Sequence, residues 1–145
     1  MQNILDIKYK LEEQAKQEYM TIRSRLNDAV AQLEHLHRRK DFYMDQYRGL
    51  VSEKLDVLEI EESKNSILLM DEYILNQKQI VEKIERELEI ALHKMNAAMQ
   101  ERKVHEKLKE KQFEEFLQEL NQEEMKEVDQ LVSYQYNNRD EKEEV

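Results

Sequence analysis

Four histidines, seven tyrosines and thirty-three carboxylates are the groups from which this 145-residue chain could build chemistry. Glu34 and His37 form one E-x-x-H, the spacing at which a helix presents a carboxylate and an imidazole to a di-iron centre. Such a centre needs two of these motifs and two further glutamates facing one interior, and no second E-x-x-H exists. His35 and His37 are two residues apart and point to different sides of a helix. His93 and His105 fall along a second helical stretch, where a solvated or packed imidazole is the ordinary state. Cysteine is absent, so neither a disulfide framework nor a thiolate metal site can form. A single glycine, Gly49, cannot make a phosphate-cradling loop. The expectation is a protein with no catalytic residues, no metal and no cofactor.

What has to be positioned is therefore a surface. Charged residues make up 39% of the chain, proline is absent and glycine occurs once. Globular domains carry roughly 7% glycine and 5% proline, which turns and caps consume. A chain lacking both has few places to change direction, and its hydrophobic residues are periodic. Leu11, Ala15, Tyr19, Ile22, Leu26, Ala29, Leu33, Met44, Tyr47 and Val51 fall at steps of three and four, with His37 and Lys40 bridging a weaker seam between Leu33 and Met44. Ile74, Gln77, Val81, Ile84, Leu88, Ala91, Met95 and Ala98 keep the same rhythm in the second half. Beyond them the repeat is expected to re-phase through Val104, Leu108, Phe113, Phe116, Leu120, Val128 and Leu131. A sustained 3.5-residue repeat makes two helices wind around each other. Acid–base pairs four apart, Asp6–Lys10, Glu12–Lys16, Glu34–Arg38 and Glu82–Arg86, add about 0.2–0.5 kcal/mol each.

One break is readable. After Gly49 and Ser52, "DVLE" at 56–59 has Asp56 as N-cap and Glu59 at the third helical position, a capping box. This predicts an all-α, antiparallel two-helix coiled-coil hairpin in one domain, 1–145: helix 1 over about 4–52, a turn near 53–57, helix 2 over about 58–137 and a frayed tail at 138–145. A turn displaced to "ESKNS" at 62–66 and a single unbroken helix that dimerises are the alternatives. At 1.5 Å per residue the helices are about 73 Å and about 120 Å long, so helix 1 covers helix 2 only to about residue 106. The C-terminal helix overhangs with Phe113, Phe116, Leu120 and Leu131 unclaimed.

The net charge is −10 and uneven: residues 1–52 hold nine Lys/Arg against eight Asp/Glu, the remainder fourteen against twenty-five. Nucleic acid is not an expected ligand, since phosphates demand a basic face, and a basic partner surface or a positively lined channel suits the second half better. No apolar run approaches the roughly 18 residues of a membrane span, and no signal-peptide core is present, so a soluble intracellular protein is expected. Before the turn, Phe42, Tyr43, Met44 and Tyr47 crowd into six positions. On a helical wheel Met44, Val51, Tyr47, Tyr43 and Leu50 form a stripe about 120° wide, broader than a two-stranded seam uses. Phe42 stands on the far side, about 160° from Met44. The surplus, mainly Tyr43 with part of Tyr47 and Leu50, either covers the turn or meets a partner.

Three blocks, "NILDIKYKLEEQAKQEY" at the start, "YMDQYRGL" before the turn and "ERKVHEKLKEKQFEEFLQELNQEEMKEVDQLVSYQY" near the end, together resemble the FliJ family of flagellar type III export proteins. That resemblance implies an antiparallel coiled coil similar to the central stalk of rotary ATP synthases. It implies as partners the hexameric export ATPase FliI, the membrane export gate protein FlhA and export chaperones. It also implies a place at the cytoplasmic face of the inner membrane, as a monomer when free. The family's gate-facing tyrosine pair falls on Tyr43 and Tyr47. Its continuation on the second helix, a Phe, Leu, Ala, His pattern, falls on Ser66, Met70, Tyr73 and Gln77, where only Met70 keeps the family's character and Tyr73 is an aromatic nearby. The ATPase-facing end corresponds to Leu108, Phe113, Phe116, Leu120, Val128 and Leu131. The equivalent stalk of a virulence secretion apparatus and a homodimeric scaffold without an ATPase are the rival functions.

Overall fold

The computed structural model describes residues 2–52 and 56–143. Two helices account for nearly all of them: α1 (Gln2–Ser52) and α2 (Val57–Glu143). They pack against each other antiparallel, as the all-α hairpin expected, and the described residues contain no strand.

Local chemistry sets the helix ends. The Asp56 carboxylate accepts the N–H of Leu58 at 3.2 Å, and its backbone carbonyl accepts the N–H of Ile60 at 3.2 Å. These bonds satisfy one of the orphan donors of the first turn and start the helical ladder, which is what an N-cap does. Glu59 in the first turn complements the positive end of the helix dipole. Residues 62–66 are helical, so the displaced turn does not form; of the expected turn, 53–55 lie outside the described residues. At the end of α1 the Ser52 hydroxyl donates to the Gly49 carbonyl at 3.0 Å, and Gly49 itself is helical. The tail expected to fray from 138 continues α2 to Glu143, because "NNRDEKE" contains neither glycine nor proline to end it.

Contacts group the chain into two units. The larger, Lys10–Met99, is a helical hairpin. Its interior has two clusters: Ala29, Val81 and Ile84, flanked by Ile22, Leu26 and Leu33, and Leu36, Met70 and Ile74, flanked by Leu33 and Tyr43. On α1 buried and half-buried positions at Glu12, Ala15, Tyr19, Ile22, Leu26, Ala29, Leu33, Leu36, Lys40, Tyr43, Tyr47 and Leu50 alternate steps of three and four, and Met44, expected on the seam, is half-buried beside Tyr43. On α2 the same alternation runs through Ile60, Ser63, Ile67, Met70, Ile74, Gln77, Val81, Ile84, Leu88, Ala91, Met95 and Ala98, with Ser66, Glu87 and Met99 also half-buried beside it. The second list contains the whole seam expected there. The first corrects the expectation: Leu36 rather than His37 follows Leu33, and Tyr43 and Leu50 lie on the seam rather than outside it. Leu11 and Val51, 44% and 54% exposed, lie off it.

Of the polar residues on this seam, Lys40 and Gln77 each have a partner on the opposite helix. Lys40 lays its stem along the seam and carries its ammonium to Asp71 at 2.6 Å, keeping the charge at the edge. Gln77 donates its side-chain N–H to the Ala29 carbonyl at 2.9 Å, where the small Ala29 side chain leaves the backbone within reach. The smaller unit, Met1–Tyr9 with Gln100–Val145, pairs the start of α1 with one stretch of α2, around Leu5. From Lys107 to Arg139 every residue of α2 is exposed.

A seam one residue deep makes each buried side chain costly to truncate. Leu36→Ala is expected to lower the urea-unfolding free energy by about 2–4 kcal/mol. His37→Ala is expected to change it by about 0.5 kcal/mol or less. The reverse ranking would restore the seam through His37.

Candidate functional site

Three places combine exposure with distinctive side chains. The first is the end of the hairpin. Tyr43, Gln46, Gly49 and Leu50 from α1 and Glu59, Glu62, Ser63 and Ser66 from α2 line an open groove of about 480 Å³. The Ser63 Oγ is buried at its floor and takes no hydrogen-bond partner among the described residues. Phe42, 60% exposed, stands outside and meets the Tyr43 ring edge-on at 5.9 Å and 62°.

The five residues assigned by resemblance to gate binding do not form one open platform. Tyr43 packs on the Leu36, Met70 and Ile74 cluster, and Met70 is 4% exposed within it. Gln77 is half-buried and committed to the Ala29 carbonyl. Tyr47 is half-buried, and Tyr73, 45% exposed, faces away from the seam. Tyr43 is thus shared between the core and the groove. Val57, Leu58, Phe42 and Leu68, 57–72% exposed, are the large apolar side chains most open in this region, and the place of Phe42 on the far side of the wheel from Met44 was the signal for its exposure.

The second place is the lone stretch of α2. Phe113, Phe116, Leu120, Val128 and Leu131 are 40–62% exposed, as are Leu117, Val132 and the more open Met125, Tyr134 and Tyr136 at 43–69%. At 100° per residue, Phe113, Phe116, Leu117, Leu120, Val128, Leu131 and Tyr134 fall within about 120° of arc. Leu108 stands about 140° from Phe113 and does not belong to this stripe. Leu117 and Tyr134, missed in the sequence, are found by that same wheel. Glu124 and Glu127 interrupt the stripe midway, and residues 113–136 carry seven carboxylates against one lysine. An apolar face set in an acidic helix suits a partner lined by apolar side chains with cations at its margin.

The third is the clasp at the start of α1. Lys8 bridges to Glu101 at 2.9 Å, the Tyr9 hydroxyl donates to Glu106, and Arg102 both pairs with Glu106 at 3.0 Å and lies over the Tyr9 ring at 5.5 Å. The Lys8 hydrogen bond, and then its charge, hold the Glu101 carboxyl below the usual carboxylate range. The His105 Nδ1 is buried here without a hydrogen-bond partner among the described residues. No group of three or more metal-ligating side chains occurs among the described residues, and none of their helices is long and apolar enough to cross a membrane.

These geometries give two expectations. Tyr43→Ala is expected to lower unfolding free energy by about 1–3 kcal/mol through lost packing. Phe42→Ala is expected to leave it within about 0.5 kcal/mol. Because the Glu101 value is depressed in the folded chain, the stabilisation it gives is present above the ordinary glutamate range and is lost as pH falls through the lowered value. Carboxyl-carbon NMR should therefore show the Glu101 midpoint rising towards the ordinary range in Lys8→Met; an unchanged midpoint would remove Lys8 as the cause.

No curated protein sequence and no solved structure gives a significant match to this chain. A family model does: that of the flagellar FliJ protein, over residues 1–141. The two-helix architecture, the bare C-terminal stretch and a match over nearly the whole length agree, and the chain belongs to the flagellar FliJ protein family, components of flagellar protein export.

Proposed function

We propose that this protein is a non-enzymatic stalk of the flagellar export apparatus. In this reading the bare stretch of α2 is received by the hexameric export ATPase FliI, and the hairpin end meets the export gate protein FlhA. The protein assists export chaperones and works at the cytoplasmic face of the inner membrane, as a monomer when free. The observation that carries the reading is the exposed stripe of Phe113, Phe116, Leu117, Leu120, Val128 and Leu131, on a stretch of α2 where every described residue from Lys107 to Arg139 is exposed. Exposed apolar area of this kind marks an interaction surface. Its acidic surround matches a basic-lined channel.

The mechanism this supports is mechanical. A rearrangement of the ring would be felt as force on an inserted helix, and a packed seam transmits it because interdigitated side chains do not slide past one another cheaply. Coupling then depends on the seam staying closed. At the hairpin end, Phe42 and Tyr73 offer aromatic area, while Tyr43 supports them from the core. Of the rival functions, the virulence stalk shares this architecture; the flagellar family match favours the flagellar apparatus.

The test is to add the protein to purified export ATPase and measure hexamer formation and ATP turnover. Phe116→Ala with Leu131→Ala should raise the half-maximal concentration at least about tenfold, the order expected when two buried anchors are lost. Thermal unfolding should be unchanged, since neither side chain is buried in the free protein. Leu75→Ala, 58% exposed on another part of α2, is the control and should have no effect. Equal loss in both variants, or none in either, would refute the assignment of the stripe.

A further inference from the structure

We propose that the first two turns of α1, residues 3–9, are a detachable strap seated on α2 between Glu101 and Phe113. Leu5, 6% exposed, is the one buried side chain the strap contributes; Ile4 and Ile7 are 46% and 55% exposed. Leu5 lines an open groove together with Glu106, Lys109, Glu110 and Phe113. The remaining attachments are polar: Lys8 to Glu101, Tyr9 to Glu106, and Arg102 over the Tyr9 ring. Ion pairs of this exposure are worth little and are screened by salt. In the same unit the His105 Nδ1 is buried without a hydrogen-bond partner among the described residues, so this stretch is not fully satisfied when closed.

The strap is therefore held by a single apolar anchor and a screened clasp, at a helix end that frays in any case. Opening it bares α2 back from Phe113 to Arg102, a further three turns or so. It also releases Ile4, Leu5 and Ile7 as a mobile apolar segment. A partner that grips the distal stripe competes with the strap for the face next to Phe113, so engagement and strap release become linked. Opening itself does not depend on what receives the stripe, and its test uses the free protein.

The experiment is amide hydrogen exchange on the full chain. Residues 6–9 report it, because the first four N–H groups of a helix have no intrahelical acceptor. Raising sodium chloride from about 50 mM to about 1 M should speed exchange at 6–9 by about tenfold or more, while amides 22–36 change less than about twofold. The Glu101→Gln/Glu106→Gln variant should exchange at the fast rate already at low salt. Native cysteine is absent, so Lys8→Cys/Glu101→Cys can be joined selectively by a short bismaleimide, and that link should abolish the salt response. Salt-independent exchange at 6–9 would overturn the proposal, as would a response shared equally by 22–36. The salt series on the unmodified chain decides the matter even if a variant fails to fold.

Discussion

The structure depends on an unbroken alternation of three- and four-residue steps along two facing helices. It buries a row of side chains one residue deep on each helix: among the described residues, only Leu5, Ala29, Leu36, Met70, Ile74, Val81, Ile84 and Ala91 are buried apolar groups. A core this thin cannot rely on bulk hydrophobic volume, so register matters more than area. Gln77 on the Ala29 carbonyl and Lys40 on Asp71 are polar interruptions whose partners sit at one position on the opposite helix. A slip by one heptad would leave both unpaired, an arrangement by which polar seam residues select one alignment.

Function follows from what the seam leaves over rather than from what it encloses. The features that stand out in the described residues are surfaces. The hairpin end carries aromatics that are half committed to packing. The far part of α2 carries a stripe that is exposed throughout. The clasp between Lys8, Tyr9, Glu101, Arg102 and Glu106 marks where commitment ends.

Much of this was legible from residue types, and the departures have physical causes. The second-half seam is plain because Ile74, Val81, Ile84 and Ala91 fill their positions with apolar residues. In the first half Lys40 occupies a seam position, and after Leu33 both Leu36 and His37 continue a helical step. Counting four instead of three there puts His37, Met44 and Val51 in place of Leu36, Tyr43 and Leu50, while Lys40 and Tyr47 stay, and so turns Tyr43 from a core residue into a surplus one. The capping role of Asp56 was readable because it needs only local sequence. Leu108 was grouped with the distal stripe by type, although its angle sets it apart, and Leu117 and Tyr134 were passed over for the same reason. Burial of Met70 and the commitment of Gln77 depend on the opposite helix, which no local pattern displays.

The central claim is that α1 closes on α2 of its own chain. Single spin labels at Glu34 and Lys78, both exposed beside the seam, are introduced into the cysteine-free chain and read by pulsed electron resonance. With helix axes about 8–10 Å apart, one short distance is expected, unchanged when labelled protein is diluted into excess unlabelled protein. A short distance that fades on dilution would mean that the seam joins two chains, and a single chain with a bare end would no longer describe the molecule.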